Sequence, residues 1–413
     1  MTSIGKFVGN SSSEALLFKV TAPSQLDSER LTPRPSIGLS TSMLLVNYLL
    51  MVLPLLGLWD KELSLNGGKM KSNFAESQQI AKDLLVAYGL PLGVAERSAY
   101  EITMADAWGR GSHGLLRLPH YLRRIGAGGI DKDAELTVIK DKGPVLSLNG
   151  NGGMGHFQAH HASAVATERA GTYGVSVVSV ADSNHCGVLG LYVLEMVSKG
   201  FIGLAFTNGP AVMPAWGGNK AILSTSPLAC GIPSKPRPAI IDLATSTVAR
   251  GRIAQAAAKD EVIPDGWAFD ASGAPTNDAK LALFGMLAPM AGAKGFALAL
   301  MVEALTGGLV GPSLSSEVAD PLSLNDIAKP QGLSHLLIAL DPSAFADDDS
   351  AADRLDRMAD QVIQTNGRLP GTSRPLSDEV TDDTEVDITE SVAAEIIQMA
   401  RDAKVVLPSS WRA

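Results

Sequence analysis

Residues 175–207, VSVVSVADSNHCGVLGLYVLEMVSKGFIGLAFT, decide the fold class. Residues 175–181 form an almost continuous run of small and β-branched residues, which predicts a strand covered on both faces. Leu189–Ser198 reads as a helix, and Ile202–Thr207 as a second buried strand. Strand, turn, helix and strand in one short stretch is the signature of an α/β protein. The turn carries Asp182, Ser183, Asn184 and His185. It lies at the carboxyl end of a strand, where open α/β sheets place their chemistry.

The same alternation extends outward. Upstream lie a short strand at 145–148 and a helix at 158–170. Downstream come a strand at Ala239–Leu243, helices at 247–258 and 296–305, a strand at 336–341 and a helix at 351–365. An acidic stretch at 378–390 precedes a helix over 396–403. Ahead of the alternating part, helices are expected at 74–88, from Pro91 to 108, and at 112–125 before the run AGAGG. The expectation is an α/β fold with a mixed sheet and an N-terminal helical region. The body is divided as 70–130 helical, 131–345 for cofactor and substrate, and 346–413 helical. No internal repeat is found.

Composition narrows the function. The chain has 413 residues and a net charge of −9, so it lacks the basic surface a nucleic-acid partner requires. Its two cysteines, Cys186 and Cys230, form no CxxC pair. That argues against a disulfide scaffold or a thiolate zinc site and fits a cytoplasmic protein. Residues 1–69 stand apart as an N-terminal extension. Within it, 43–59 (MLLVNYLLMVLPLLGLW) is strongly apolar and reaches only the lower limit for a spanning helix. Two readings stay open: a membrane anchor, or an extension ahead of a start at Met70.

At 100° per residue, a helix over 112–125 gathers Leu115, Leu118 and Leu122 on one side. His113, Arg117, His120, Tyr121 and Arg124 fall on the other. His113, Arg117 and Tyr121 form one stripe. A guanidinium can grip a carboxylate in bidentate fashion, and an imidazole can exchange a proton at a carbonyl. A solvated helix face is the competing reading. His156 and His160 have metal-ligand spacing but no carboxylate to match, so no metal is expected. Gly150, Gly152 and Gly155 spell GxGxxG. The acidic residue that should follow is too far away for a Rossmann site. Three loops suit anions or ordinary caps: Thr225-Ser226-Pro227, 242–246 (DLATS) and Ala293-Lys294-Gly295.

SHGLLRLPHY, ADSNHCG, TNGPAVMPAWGG, STSPLACGIP, IDLATSTVARG, GWAFDASGAPTND and GAKGFALALMVEAL occur in this order from Met70 onward. The series resembles the type-2 malate/L-lactate dehydrogenase family. That family includes ureidoglycolate dehydrogenase, 2,3-diketogulonate reductase and the piperideine- and pyrroline-2-carboxylate reductases. The resemblance implies a non-Rossmann fold, NAD or NADP as cofactor, and a homodimer. It implies that His113 exchanges the proton, with Ser112 beside it and His185 as a second acid/base group. It assigns Arg117, Tyr121, Thr225 and Asp242 to the substrate. Ala244, Thr245, Ser246, Lys294 and Gly371, with Asn208 beside them, fall to the cofactor. The chain departs from the family with Thr225-Ser226-Pro227 for TNP, Arg252 for Lys, His185-Cys186-Gly187 for HFG and Pro370-Gly371-Thr372 for PGE.

The expected activity is hydride transfer between a nicotinamide and a small 2-oxo or 2-hydroxy acid, that is, a dehydrogenase acting on CH–OH. Two alternatives are a cyclic imino-acid reductase and a non-catalytic binding protein on the same fold.

Overall fold

The computed structural model describes residues 68–320, 326–346 and 350–412. The apolar run at 43–59 lies outside them. Among the described residues no helix is long and apolar enough to cross a membrane.

The framework is a seven-stranded sheet. Its order is Thr137–Asp141, Val145–Asn149, Val175–Ser183, Leu333–Leu340, Ile202–Thr207, Leu228–Ile232, Ala239–Leu243. Val145–Asn149 and Val175–Ser183 run parallel, joined by the helix Gly155–Tyr173. Every other neighbouring pair is antiparallel. A mixed sheet of this order is not the parallel, doubly wound sheet of a Rossmann domain.

Val175–Ser183 sits third in the sheet and is mostly buried along its length. The expected strands Ile202–Thr207 and Ala239–Leu243 and the helix Leu189–Ser198 form over those residues. That helix packs on Leu228–Ile232, where a Cβ on Gly231 would sit 2.7 Å from Val197 Cγ1. The strand therefore needs a small residue at the crossing point.

The chain ends close around the N-terminal helices. Lys69–Asn73 pairs antiparallel with Glu385–Thr389. Asn73 then caps the helix Phe74–Ala87, its side chain accepting from Glu76 N at 2.8 Å. The helices Leu92–Ala107, Leu118–Ala127 and Glu390–Asp402 share one apolar core with Phe74–Ala87 and one face of the sheet. A second core gathers Met213, Leu223, Ile253, Ile263, Leu287 and Ala299.

One expected helix is corrected. Residues 112–125 do not form a single α-helix. Gly111–His113 and Leu115–Arg117 are separate 3-10 turns, and the α-helix is Leu118–Ala127. Pro119 stands in its first turn, where the missing N–H costs nothing and the ring favours a helix start. Upstream, Asp106 Oδ2 accepts from Leu115 N at 2.7 Å. A Cβ on Gly114 would overlap that carboxylate. The turn thus binds a side chain where a helix would bind its own backbone. The helix expected from 247 begins instead at Arg250, because Thr247 N bonds Ala288 O at 2.8 Å.

Candidate active site

Two short turns and one strand end bring the first group of residues together. His113 leaves the turn Gly111–His113, and His185 leaves the turn after Val175–Ser183. Their rings stack with centroids 5.6 Å apart and planes at 25°. Tyr121, on Leu118–Ala127, places its hydroxyl 2.7 Å from His185 Nδ1. Gly187 N donates to the same nitrogen at 3.3 Å. Nδ1 of His185 is therefore an acceptor, and the neutral ring carries its proton on Nε2.

Ser112 Oγ lies 2.9 Å from His113 Nδ1, leaving His113 Nε2 as the exchanging nitrogen. Arg117 Nε donates to Ser112 O at 2.9 Å. Both Nη groups of Arg117 are without a protein hydrogen bond among the described residues, so its fork is free. Burial, then the charges of Arg117 and Arg110, hold the His113 imidazole down to about 4. Burial, with His113 and Arg117 next, holds His185 well below its ordinary value. Both rings are neutral at pH 7 when no anion is bound. Tyr121 is 2% exposed, and burial pushes its phenol well above 10.

The other residues of the expected polar face do different work. Arg124 is 1% exposed and braces the site from beneath. Its Nη2 donates to Gly129 O, Lys329 O and Asn184 Oδ1 at 2.7, 2.9 and 3.1 Å. His120 is half-buried and tilted against Tyr121. His156 lies edge-on to Tyr121 at 5.0 Å, whereas His160 Nδ1 meets Glu195 Oε2 at 2.8 Å. The two do not converge. Among the described residues no group of three His, Cys, Asp or Glu is arranged for a metal ion.

The GxGxxG glycines serve the His185 turn. Asn184 Nδ2 donates to Gly152 O and Gly153 O at 2.7 and 3.0 Å. A Cβ on Gly155 would overlap the carbonyl oxygens of Asn184 and His185, and one on Gly150 would strike Gln158. Protein fills the space that a pyrophosphate would need.

Asp242 stands at the end of Ala239–Leu243. Its Oδ2 is 3.6 Å from Arg374 Nη1, and Gly190 leaves room for the carboxylate. Burial raises its pKa against the pull of Arg374 and Arg110. Three residues further on, at Thr245, three loops join. Thr245 N donates to Thr225 O, and Met290 N to Thr245 O, both at 2.8 Å. The Thr245 hydroxyl also bonds Thr225 O, and the Ser246 hydroxyl bonds Val248 O. Lys294 stands exposed in the first turn of Ala293–Glu303, beside these loops.

Two expected cofactor residues are committed to the protein. Both ends of the Asn208 amide are engaged, by Ser313 O and Ser334 N at 2.9 Å each. Gly371 has φ +81°, and a Cβ there would lie 2.8 Å from Ile240. Around 244–246 the structure brings together an exposed Lys294 without a hydrogen bond or ion pair among the described residues, the N-terminal N–H groups of Ala293–Glu303 and the strand end that leads from Asp242. Sequence reasoning missed Arg110, Arg374, Trp108 and Gln331. Gln331 Oε1 accepts from His185 N at 3.1 Å.

The mixed sheet holds His185 at a strand end against His113, with the free guanidinium of Arg117 on the adjoining 3-10 turn, an acid/base pair beside an anion grip. The family of malate/L-lactate dehydrogenases matches residues 72–397, and the chain belongs to it. It is 34% identical to an L-sulfolactate dehydrogenase of Methanothermobacter thermautotrophicus over 82% of this chain and 98% of the relative. It is 32% identical to a delta(1)-pyrroline-2-carboxylate reductase of Ancylobacter novellus, over 74% of this chain and 89% of that one. The sulfolactate dehydrogenase structure from Methanocaldococcus jannaschii superposes with a TM-score of 0.75 at 26% identity. The superposition covers 82% of this chain and 98% of that one.

Proposed function

We propose that the chain is an NAD- or NADP-dependent oxidoreductase acting on a small 2-oxo or 2-hydroxy acid. The observation that carries this reading is the stacked His113/His185 pair beside the free Arg117 fork. Arg117 takes the substrate carboxylate and fixes the reacting carbon. His113 exchanges a proton with the substrate oxygen through Nε2, and Ser112 orients the ring. His185, held by Tyr121 and Gly187, is the second acid/base group and packs against His113. Thr225 and Asp242 complete the substrate side.

The residues proposed for the cofactor are Asn208, Ala244, Thr245, Ser246, Lys294 and Gly371. Lys294 makes the charged contact, and the buried hydroxyls and Gly371 shape the loops. When bound, the nicotinamide supplies or accepts the hydride at C2 of the substrate. In the free protein, neutral His113 is ready to take a proton from a 2-hydroxy acid. A carboxylate on Arg117 cancels one of the charges that depress His113, so the ring holds a proton more readily once a 2-oxo acid is bound.

The helix Ala293–Glu303 and the turn after it leave Leu298, Leu300, Met301 and Leu309 exposed, an apolar face that fits a homodimer. Residues 1–67 are proposed to be an extension to the catalytic body, which takes in Lys69 through its pairing with Thr389, and the protein is proposed to work in the cytoplasm. NADH and NADPH absorbance against pyruvate, oxaloacetate and delta(1)-pyrroline-2-carboxylate tests the activity. Consumption with a 2-oxo acid is expected. Turnover of the imine alone, or of no compound, refutes it.

A further inference from the structure

The strand that carries the His185 turn ends irregularly. Between the pairs Leu333–Ser183 and His335–Val180, Ser334 alone faces Ala181 and Asp182. This is a β-bulge on Val175–Ser183, and Asp182 within it takes φ +49°. A bulge bends the chain and re-aims the residues that follow, here Asn184 and His185. A left-handed backbone on a non-glycine residue persists where neighbouring bonds hold it.

His335 spans the bulge. It sits on Leu333–Leu340, the middle strand of the sheet, and is 1% exposed. Its Nε2 lies 2.9 Å from Ser183 Oγ and 3.2 Å from Asn184 O, and its Nδ1 lies 2.8 Å from Thr207 Oγ1. Burial holds the imidazole down to about 4, so at pH 7 it carries one N–H. A carbonyl only accepts, which puts that proton on Nε2. The rest of the chain then has one direction. Thr207 donates to Nδ1. Ser183 Oγ donates to Gln158 Oε1 at 2.7 Å, and Gln158 Nε2 donates to Gly150 O at 2.6 Å. The other tautomer would turn a lone pair toward Asn184 O and draw the Ser183 proton away from Gln158. Thr207, Ser183, Asn184 and Gln158 are all buried. One imidazole thus joins three neighbouring strands to the glycine turn, through the two residues that precede His185.

We propose that His335 is a positioning residue for the acid/base pair: its Nε2 proton, shared between Ser183 Oγ and Asn184 O, holds the bulged strand end in the conformation that stacks His185 on His113. The inference rests on the 2-oxo-acid reading above, which gives His185 its part in the reaction. His335 is enclosed by the sheet and acts through Ser183 and Asn184.

Steady-state reduction of oxaloacetate and pyruvate by the intact chain, with NADH and NADPH, tests it in two variants. A Gln side chain can place an amide N–H where Nε2 stands, whereas Asn reaches only the place of Nδ1. His335→Gln is therefore expected to keep kcat within about 3-fold of the wild type. His335→Asn is expected to lower kcat about 10- to 100-fold at nearly unchanged KM, because a misaimed acid/base group slows the chemistry while Arg117 still holds the carboxylate. Both variants lose the ring, so thermal denaturation should show similar losses of stability, and a purely structural role would make kcat follow them. Should either variant fail to fold, Ser183→Ala decides. It removes one of the two acceptors of the Nε2 proton and should lower kcat about 3- to 10-fold, again at constant KM. An equal fall of kcat in both His335 variants, an unchanged kcat in His335→Asn or in the deciding Ser183→Ala, or a loss confined to KM overturns the positioning role and leaves the general function standing. A wild-type protein that turns over neither 2-oxo acid overturns the 2-oxo-acid reading itself.

Discussion

Replacing Arg117 by Gln separates binding from proton transfer within one variant. In the free protein Arg117 contributes one hydrogen bond, from Nε to Ser112 O at 2.9 Å, at a partly exposed position. Its loss should cost only about 0.5–1.5 kcal/mol of stability. The free fork is a different matter. Two charge-assisted bonds to a substrate carboxylate, lost together, remove about 3 kcal/mol, or roughly 150-fold in kcat/KM. The variant also removes a positive charge that depresses His113. Without it the imidazole protonates more easily, so its pKa rises from about 4 toward the ordinary 6.5. It should stop short of that value, because burial is the larger cause and persists. In the oxidation direction the neutral ring is the active form, so kcat/KM falls as pH drops through this pKa. NAD(P)H formation from a 2-hydroxy acid, followed across pH, should show a lower plateau and an acid limb moved to higher pH. A variant with unchanged kcat/KM, or with its limb at lower pH, would refute the placement of Arg117 beside His113 as both anchor and charge.

Tyr121→Phe removes the hydroxyl 2.7 Å from His185 Nδ1 and leaves Gly187 N as the donor. We expect about 1 kcal/mol lower stability in denaturant titration and roughly tenfold lower kcat. Stability should fall as the solution is acidified. Burial holds His113, His120, His156, His161, His185 and His335 below their ordinary pKa, so the unfolded chain takes up protons below about 6.5 that the folded one refuses. Glu101, Asp106, Asp182 and Asp242, raised by burial, oppose this but are fewer. Melting temperature should therefore drop between pH 7 and 5, and a flat or rising profile would contradict the burial of the imidazoles. Lys404 follows the helix Glu390–Asp402 with φ +58°. Lys404→Gly should raise stability by about 0.5–1 kcal/mol in the same titration.

Much of the framework was legible because its signals are local. Ile202–Thr207 and Ala239–Leu243 are short apolar runs, and Leu189–Ser198 is an apolar helix buried on nearly every side. The strand Leu228–Ile232 was not legible. Cys230 and Gly231 give it no strand propensity, and the small residue is dictated by Val193 and Val197 of the helix above it. Thr137–Asp141 is exposed at every position, so no apolar alternation marks it. At the site, the residue types at 112–124 were legible and their geometry was not. A uniform helical wheel ignores Pro119 and a carboxylate arriving from Asp106. The wheel also set Arg124 beside Arg117, although one is a buried brace and the other a free fork. Arg374 meets Asp242 only through the fold.

The two halves of the site are built to different tolerances. The His185 turn is held from every side: by Arg124 and the glycine turn through Asn184, by Gln331 through His185 N, and by His335 through Asn184 O at 3.2 Å. Asp182, just before it, takes φ +49°, a conformation that costs a non-glycine residue about 1–2 kcal/mol. Gly152 N fixes its carbonyl at 2.8 Å. Strain of this kind persists where surrounding bonds over-determine the backbone, and here it aims His185. The Arg117 half rests on two short 3-10 turns tied to Asp106, and the Arg117 side chain itself makes one hydrogen bond. A rigid imidazole facing a loosely held guanidinium is an arrangement in which the anion does the final ordering. Binding energy from the carboxylate then fixes the Arg117 fork beside two rings that are already stacked.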